Sequence, residues 1–338
     1  MSFKISIPAS GHQFTAEANQ TILTAAINAG INLPYGCRDG ACGSCKGQLL
    51  TGTVDLGHYN FNVLNGDEIA SGKTLFCCAI PLSDCMIAPR EILDSTVVKP
   101  RILPARVEKK VLLTPDTMAI YIKLPSNERL EFRAGQFVEF IMKNGLRRAY
   151  SIANAPHDDA VLEFHLHKIE NGVFTSFTFD EMPEKAILRL EAPFGSFYLR
   201  EDSDKPIIFV ASGTGFAPIK GIIEHAIHTK KSRKNTRKMV LYWGAKNEAD
   251  LYMNNLAACW ASEHDIQYIP VLSRANSLWT GRTGYPQEAV MTDYADLSAF
   301  EVYACGAPKM VDLALQAFKT KGLAEDAFFS DAFTAAVN

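Results

Sequence analysis

The sequence predicts a protein of three domains: an α+β domain, an antiparallel β-barrel and an α/β domain built on a parallel sheet. Three patterns along the 338 residues predict this division. Residues 1–98 combine alternating strands, a short helix and a cysteine-rich loop. Residues 99–203 contain six strand-like segments separated by turn residues, a spacing that favours a closed antiparallel barrel. Over residues 204–338 wholly apolar strands alternate with helices, which predicts a parallel sheet covered on both faces.

The composition is that of an ordinary globular protein, with 47% hydrophobic and 21% charged residues. A formal net charge of −3 gives no reason to expect a nucleic-acid partner. No apolar run reaches the ~18 residues of a membrane span, and no apolar segment follows a basic start, so neither a membrane anchor nor a signal peptide is predicted. Cysteines used as thiolate ligands fit a reducing compartment, so we expect a cytoplasmic protein.

The first domain begins with a hairpin and a helix. Two alternating segments, residues 3–7 and 13–17, predict antiparallel strands joined by a turn. Residues 21–29 place apolar side chains on one face, which predicts a short helix that stops at Gly30. Another strand is predicted at residues 46–50, after a loop rich in cysteine and glycine.

That loop predicts an iron–sulfur site. Cys37, Cys42 and Cys45 have the spacing C-x4-C-x2-C, which with a distant fourth cysteine is typical of plant-type [2Fe–2S] clusters. The glycines of the loop allow backbone angles that turn amide N–H groups toward the sulfurs. Zinc is the alternative, but Cys-only zinc sites usually show two C-x2-C pairs and this chain has one. A disulfide framework suits short secreted chains, and not one of this length with eight cysteines.

The fourth ligand is less obvious because Cys77 and Cys78 are adjacent. The run of residues 75–84, LFCCAIPLSD, resembles the plant ferredoxin ending L-x-C-x-A-x-P-x-S-D. The resemblance implies that Cys77 is the ligand and that Cys78 is a small buried apolar residue. The order of elements over about ninety residues resembles the β-grasp ferredoxin fold.

Prolines at positions 89, 100 and 104 predict a linker that cannot join a sheet interior. The segments predicted as barrel strands are residues 107–111, 117–124, 136–141, 147–152, 161–167 and 186–191, with a helix at 174–181. The third domain is predicted to have strands at residues 206–210, 239–243, 266–271 and 300–304 and helices at 217–228, 251–261 and 308–321. A basic run at residues 230–238 predicts a solvated loop rather than a docking patch.

Two segments of the barrel have chemistry that suits a flavin. At the end of one strand, Arg148 can neutralise a pyrophosphate, Tyr150 can lie flat on a ring system and Ser151 can hydrogen-bond the flavin N5. About two dozen residues on, Gly172 and Thr175 stand at a helix start, which offers N–H groups and a positive dipole end to phosphate. The alternative for the first segment is a surface arginine beside a core tyrosine.

Together the segments resemble the R-x-Y-S and G-x-x-S/T signatures of the ferredoxin–NADP reductase family, which binds FAD across a six-stranded barrel. In that family the strand before the second motif also contacts flavin, which implies cofactor contacts for His165, Leu166 and His167. As an alternative, the two histidines are ordinary alternating residues of a strand.

Two strand–turn–helix junctions predict the nicotinamide nucleotide site. Gly213, Thr214 and Gly215 follow an apolar strand and open a helix, but a proline replaces the third glycine of the fingerprint G-x-G-x-x-G. The reductase family carries this G-T-G-x-A-P form. Cys305 and Gly306 begin a segment that resembles the family's C-G-x-x-x-M motif, which implies that Cys305 lies near the nicotinamide. Taken alone, Cys305 would be a buried packing residue.

The same resemblance implies roles for residues near the C-terminus and after the third strand. Asp331 and Phe333 match the family's acidic residue and its flavin-stacking aromatic, although plant reductases end at that aromatic and this chain continues to residue 338. Phe333 as a plain core residue is the rival interpretation. Ser273 and Arg274 lie where the family binds the adenine end of the nucleotide. An arginine there favours NADPH, but the sequence GRTGY at residues 281–285 resembles NADH-using oxygenase reductases, so we predict NADH.

Over its entire length the chain resembles the reductase components of bacterial ring-hydroxylating dioxygenases, in particular the benzoate 1,2-dioxygenase type. The resemblance implies electron transfer from NADH through FAD and a [2Fe–2S] cluster to a terminal oxygenase, with transient docking at the ferredoxin domain. Ser151 and Asp331 would tune the flavin N5, and Cys305 would orient the nicotinamide. Alternatives are a reductase of a diiron monooxygenase (phenol, toluene or methane type), a flavin and iron–sulfur redox sensor, and a zinc-stabilised binding module.

Overall fold

The computed structural model describes residues 1–61, 63–92, 98–230 and 237–333. The chain forms two compact units, Met1–Lys99 and Pro100–Phe333. The predicted division at residues 203 and 204 falls inside the second unit and stays a prediction. Most of the predicted basic loop, and the chain beyond Phe333, lie outside the described residues. Within the described ranges, no helix has the length and apolarity that crossing a membrane requires.

The first unit has the predicted α+β fold. Its described elements are β1 (Ser2–Ile7), β2 (His12–Glu17), α1 (Ile22–Asn28), β3 (Lys46–Thr51), β4 (Val54–Asp55), α2 (Gly66–Ala70), β5 (Lys73–Leu75), β6 (Ile80–Pro81) and β7 (Cys85–Pro89). A five-stranded sheet has the order β2-β1-β7-β3-β5. The Thr21 hydroxyl oxygen accepts a hydrogen bond from the Thr24 amide at 3.2 Å and caps α1. The cysteine loop leads from α1 into β3.

The second unit begins with the predicted antiparallel sheet of six strands. These are β8 (Arg101–Thr114), β9 (Thr117–Lys123), β10 (Phe137–Ile141), β11 (Arg147–Ser151), β12 (Leu162–His167) and β13 (Ile187–Phe194). Their order is β11-β10-β13-β8-β9-β12. The two end strands approach each other, because the Ala153 amide just after β11 donates to the Glu163 carbonyl of β12 at 2.8 Å. A short helix α3 (Val173–Ser176) continues as a π-helical turn, Phe177–Glu181, where the sequence predicted one helix.

The predicted parallel sheet follows. Its strands are β14 (Ile207–Ser212), β15 (Met239–Ala245), β16 (Ile266–Leu272), β17 (Arg282–Thr283), β18 (Glu301–Gly306) and β19 (Phe328–Ala332), and its helices are α4 (Phe216–Lys230), α5 (Asn254–Glu263), α6 (Pro286–Asp293) and α7 (Pro308–Thr320). The order β17-β16-β15-β14-β18-β19 places the C-terminal ends of β14 and β18 side by side. Those ends carry the two glycine turns.

The sequence analysis was wrong at one strand of the second unit, and it did not predict several elements, namely β4, α2, β5, β6 and β7 of the first unit and β17, β19 and α6 of the second. Strand β8 starts at Arg101, not at residue 107, and includes Pro104 opposite Arg189 of β13. Proline is tolerated there because β8 pairs with β9 only from Arg106 onward, so no second strand needs the missing N–H. Strand β19 carries Asp331, so its position matters for the site.

Candidate functional site

The cysteine loop of the first unit gathers thiols in two pairs. The Cys37 amide donates to the Cys42 sulfur at 3.3 Å, and the amides of Asp39 and Ala41 donate to the Cys37 sulfur, each at 3.4 Å. A hydrogen bond with Cys37 helps lower the pKa of Cys42 to about 7. These inward N–H groups stabilise negative charge on sulfur, as iron–sulfur ligation requires.

The second pair consists of Cys45 and Cys77, both buried. Hydrogen bonds with the Cys45 and Cys78 thiols lower the pKa of Cys77 to about 4. The sulfur of Cys78 is 3.5 Å from that of Cys77. Cys78 is only partly buried, so the expectation that it is a buried apolar residue was wrong. Which of the two binds the cluster stays a prediction.

The pairing of the thiols fits a cluster that contains two irons. Among the described residues, no three His, Cys, Asp or Glu side chains converge as one metal ion would require. Two pairs of thiols match a cluster in which each of two irons takes two protein sulfurs. Gly40 has φ +64°, and a Cβ there would lie 2.8 Å from the Cys78 sulfur and 2.9 Å from the His58 carbonyl oxygen. The loop can therefore close only around glycine.

In the second unit, three predicted residues meet from three different strands. The Ser151 hydroxyl at the end of β11 donates to Oδ2 of Asp331 on β19 at 2.9 Å, and this contact is buried. Cys305 on β18 is the register partner of Asp331 and is fully buried. Burial raises the pKa of Asp331 to about 6. The pKa of Cys305 is also raised, mainly by burial and to a smaller extent by the negative charge of Asp331. A buried hydroxyl, carboxyl and thiol thus share one location.

The raised pKa of Asp331 predicts how stability changes with pH. Because the folded-state pKa of about 6 is above the ordinary 3.8, the folded protein holds this proton more tightly than the unfolded chain. This contribution is complete below pH ~4 and is lost as the pH rises toward 6, at ~1 kcal/mol per pH unit. Asparagine does not titrate, so the Asp331→Asn variant should not lose this stability as the pH rises. We therefore expect the free energy of unfolding of the variant, relative to that of wild type, to be higher at pH 8 than at pH 5. Urea midpoints for unfolding of the second unit, measured for both proteins at the two pH values, test this, and an equal difference between the proteins at both pH values would contradict it.

The other flavin-motif residues are placed by the barrel core. The Tyr150 ring is 5.2 Å from the Phe174 ring and 6.0 Å from the Phe140 ring, and burial raises its pKa. Arg148 is partly exposed on the same strand, and its guanidinium donates to the Arg147 carbonyl at 2.9 Å. The strand therefore holds an aromatic ring against the barrel and leaves a cation at its surface, as a flavin diphosphate site would need.

Gly172 and Thr175 form the turn into α3. The Thr175 hydroxyl donates to the carbonyls of Gly172 and Ile169 at 3.1 and 3.3 Å. A Cβ on Gly172 would lie 2.5 Å from that hydroxyl, so the turn requires glycine. Thr175 thus shapes the loop, and a contact between it and a flavin phosphate stays a prediction.

The three β12 residues have different surroundings. His165 is buried, with Nε2 2.9 Å from Glu163 Oε1 and Nδ1 3.0 Å from the Tyr252 hydroxyl. Leu166 is fully buried in the barrel core. His167 is exposed, with Nδ1 3.7 Å from an Asp116 oxygen. The structure does not bring the three into one site.

The two glycine turns of the nucleotide sheet interlock. Gly213 has φ +53°, and Gly306 has φ +129°. A Cβ on Gly215 would overlap the Cys305 carbonyl, and a Cβ on Gly306 would overlap the Ser212 hydroxyl. The Ser212 hydroxyl also accepts a hydrogen bond from the Ala307 amide at 2.9 Å. The two turns pack against each other, while Gly213 and Ala307 remain exposed at the edge of the sheet. A glycine turn that leads into a helix at such an edge is the arrangement that binds dinucleotides.

Thr214 belongs to the first of these turns, and the remaining predicted nucleotide residues lie at the same C-terminal edge of the sheet. Ser273 and Arg274 follow β16 and are exposed, with amides that donate to Ala245 and Lys246 carbonyls. Phe333 is partly buried, and its amide donates to the Gly306 carbonyl at 2.8 Å. Phe333 thus adjoins the second glycine turn.

The sequence analysis missed residues that the structure places beside the site. Ser212 is the last residue of β14, and its place between the predicted apolar strand and the glycine turn was the available signal. Glu163, Lys220 and Tyr252 surround His165 in a buried polar group. A glutamate and a histidine alternating within an otherwise apolar strand were the signal for these.

Comparison with known proteins gives three family matches along the chain. A 2Fe-2S iron-sulfur cluster binding domain matches residues 6–82, an oxidoreductase FAD-binding domain residues 104–198 and an oxidoreductase NAD-binding domain residues 209–316. The chain is an oxidoreductase, and its cofactors are a [2Fe–2S] cluster, FAD and NADH.

Relatives match over the full length. The CDP-6-deoxy-L-threo-D-glycero-4-hexulose-3-dehydrase reductase of Yersinia pestis is 39% identical over 98% of this chain and 99% of its own. The terephthalate 1,2-dioxygenase reductase component 1 of Comamonas is 31% identical over 98% of both chains. The crystal structure of the Amycolatopsis cytochrome P450 reductase GcoB is 33% identical, with a TM-score of 0.80 over 98% of this chain and 99% of that one.

These matches confirm the predicted family and fold class, while the finer benzoate type stays a prediction. The chain belongs to the family of reductases that combine a 2Fe-2S iron–sulfur domain with oxidoreductase FAD-binding and NAD-binding domains.

Proposed function

We propose that this chain is the NADH-driven reductase component of a two-protein system and that its acceptor is a terminal oxygenase. When bound, FAD would supply the conversion of the electron pair of NADH into single electrons, and the [2Fe–2S] cluster would supply a one-electron carrier to the acceptor. The observation that carries the proposal is the meeting of Ser151, Asp331 and Cys305 from three strands at the edge where the glycine turns interlock.

Each of these three residues has a task in the proposal. The Ser151 hydroxyl would hydrogen-bond a flavin nitrogen, and its oxygen lies 2.9 Å from Oδ2 of Asp331. Because burial raises its pKa to about 6, Asp331 can be protonated. In that state it would donate to the Ser151 oxygen and leave the Ser151 proton for the flavin nitrogen. Cys305 is buried beside Asp331 and can set the position of the nicotinamide without ionising, because burial raises its pKa.

The remaining residues would bind and separate the cofactors. Arg148 would neutralise the flavin pyrophosphate, and the turn of Gly213 and Gly215 would receive the nucleotide phosphates. Cys37 and Cys42 would bind one iron of the cluster, with Cys45 and Cys77 binding the other. The amides that point at the sulfurs would stabilise the thiolates.

The oxygenase acceptor is supported by the relatives that serve a dioxygenase and a cytochrome P450. A second acceptor has an observation of its own. The reductase of the CDP-6-deoxyhexulose dehydrase is 39% identical, against 31% for the terephthalate dioxygenase component. Both names describe a reductase that serves a second protein, so the same internal pathway would serve either acceptor. We further propose docking at the ferredoxin domain and a cytoplasmic location, in keeping with thiolate ligation.

An acceptor assay tests the proposal. The purified reductase would be mixed with NADH and, in parallel, with a ring-hydroxylating oxygenase and its aromatic substrate or with the CDP-6-deoxyhexulose dehydrase and its substrate. We expect product that depends on the reductase in the oxygenase reaction and a rate that rises with reductase concentration. Product only with the dehydrase would establish the second acceptor and overturn the first.

Cytochrome c provides the control for this assay. Rapid NADH-dependent reduction of cytochrome c without either acceptor would exclude a redox sensor that holds its cofactors without turnover. If the protein carries cluster and flavin but reduces cytochrome c no faster than NADH alone, the electron-transfer proposal fails, whatever the acceptor.

A further inference from the structure

A buried polar group connects the barrel with the nucleotide sheet. Lys220 of α4 is 6% exposed, and its ammonium is 3.0 Å from Glu163 Oε2 and 3.2 Å from the Ala153 carbonyl, both in the barrel part of the unit. It also contacts Glu224 Oε2 on its own helix at 3.0 Å. A buried ammonium without these partners would be strongly unfavourable, so the ion pair has one defined geometry.

His165 and Tyr252 extend this group to the nucleotide side. The Glu163 carboxylate accepts from Nε2 of His165 at 2.9 Å, so Nδ1 accepts from the Tyr252 hydroxyl at 3.0 Å. Burial lowers the pKa of His165, which keeps the ring neutral in this arrangement. The rings of His165 and Tyr252 meet edge to face at 5.2 Å. Both ring nitrogens of His165 are therefore hydrogen-bonded to residues of this polar cluster.

The barrel end of the group adjoins the flavin motif. Helix α4 lies against the segment directly after Ser151, where a Cβ on Gly221 would be 3.0 Å from the Asn154 carbonyl oxygen and 3.3 Å from that of Ile152. The Lys220 contact with Ala153 belongs to the same segment. The backbone that carries Ser151 is thus fixed against α4 by close packing and by an ion pair.

The other end adjoins the nucleotide turn. Helix α4 starts directly after Gly215, and its first residue, Phe216, stacks on Trp243 at 3.9 Å. The indole N–H of Trp243 donates to the Gly213 carbonyl at 3.0 Å. The Tyr252 ring meets the Trp243 ring edge to face at 5.1 Å. The group is therefore in contact with residues that shape both the flavin and the nucleotide sites.

We propose that Glu163, His165, Lys220 and Tyr252 form a positioning network that sets the placement of the nicotinamide relative to the flavin. The inference rests on the proposed NADH-to-flavin transfer and is independent of the acceptor. Hydride transfer depends steeply on donor–acceptor geometry, and a displacement of ~1 Å costs about a hundredfold in rate. An ion pair that spans the two halves resists such displacement because separating it would leave a buried charge unpaired. His165 then acts in positioning rather than in binding the flavin.

The first test removes one hydroxyl. Tyr252→Phe keeps the ring packing and loses only the hydrogen bond to His165. Tyr268→Phe is the matched control, since its hydroxyl donates to Asn254 at 2.8 Å in the same half of the unit but outside the network. The readouts are the stopped-flow rate of flavin reduction at saturating NADH, the KM for NADH and the long-wavelength charge-transfer absorbance of the nucleotide–flavin complex.

We expect Tyr252→Phe to slow flavin reduction about tenfold, to weaken the charge-transfer band and to leave FAD content and KM nearly unchanged. Tyr268→Phe should match wild type in the rate of flavin reduction, the charge-transfer absorbance, the FAD content and the KM for NADH. Equal rates for the two variants, or a loss confined to KM, would overturn the inference. A wild-type protein that does not reduce its flavin with NADH would instead refute the proposed function.

The second test addresses the ion pair through non-additivity. Lys220→Met leaves Glu163 buried without its ammonium, and adding Glu163→Gln removes that charge again. We expect the double variant to reduce its flavin at least about threefold faster than Lys220→Met alone. Amide exchange at Ala153, whose N–H donates to the Glu163 carbonyl, should accelerate in Lys220→Met and recover in the double variant. The inference would be overturned if the effects of Lys220→Met and Glu163→Gln on the rate of flavin reduction simply multiplied and the exchange rate of the Ala153 amide did not change.

Discussion

Cys77→Ser should abolish the [2Fe–2S] cluster while leaving the flavin and its reduction by NADH intact. Cys77 is buried, pairs with Cys45 and has its pKa lowered to about 4, so it is the most anionic thiol of the loop. Losing one of four thiolates removes half the protein ligands of one iron. We expect NADH-dependent cytochrome c reduction to fall more than ~100-fold, since single electrons then have no exit through the cluster. Ferricyanide, which flavin reduces directly, should still be reduced at nearly the wild-type rate.

Cys78→Ser is the matched control, because its sulfur is only 3.5 Å from that of Cys77. Iron and labile sulfide content, with the visible absorbance of the cluster, should stay at wild-type values in this variant. If Cys78→Ser bleaches the cluster and Cys77→Ser does not, the two adjacent residues have exchanged roles. Loss of ferricyanide reduction in Cys77→Ser would show instead that the cluster supports the fold of the flavoprotein unit.

Much of the fold could be predicted from local signals. The apolar strands of the parallel sheet and the six alternating strands of the barrel are each encoded within a few residues, so periodicity finds them. Strand β19 was missed because FFSDA at Phe328–Ala332 lacks either pattern, although its pairing with β18 buries it. Pro104 led to the opposite error, because it was assigned to a linker although it lies in strand β8. Proline usually ends a strand, but β8 has a neighbour on only one side at that point.

The residues of the site likewise fall into those that the sequence could identify and those that it could not. Motifs that are contiguous in sequence, such as the cysteine loop and the glycine turns, carry their chemistry in the backbone geometry of a single turn and can be identified there. The Glu163–Lys220 pair joins residues 57 positions apart, and neither lies in a recognisable motif. Only the tertiary structure brings them together. A glutamate in a buried strand implies a partner, but sequence alone does not say which lysine provides it.

Acceptor choice is the least local property of all. The iron–sulfur, FAD-binding and NAD-binding domains account for electron transfer inside the chain, so they do not distinguish an oxygenase from a dehydrase as the acceptor. If the acceptor docks at the first unit, as proposed, the charges on the surface of that unit would determine which acceptor binds. Identity of 39% against 31% over the same length therefore favours an experiment with both acceptors.

Ser151→Ala should slow flavin reduction by NADH by a factor of ~100 or more without releasing the flavin. The hydroxyl is buried, is held by Asp331 at 2.9 Å and stands at the end of β11, where the proposed flavin nitrogen would receive its hydrogen bond. Removing one preorganised donor from a water-poor site costs far more in the transition state than in binding. The rate at saturating NADH should therefore fall while KM changes little, as single-turnover absorbance measurements can determine.

Thr178→Val is a suitable control for Ser151→Ala, since it removes another buried hydroxyl of the same barrel, one that donates to the Phe174 carbonyl at 2.8 Å. We expect it to retain the wild-type rate. Asp331→Asn should lower the rate less than Ser151→Ala, and the double variant should be no slower than Ser151→Ala, because Asp331 acts through the hydroxyl that it holds. If the two losses multiply instead, Asp331 contributes to the reaction by a route that does not pass through Ser151.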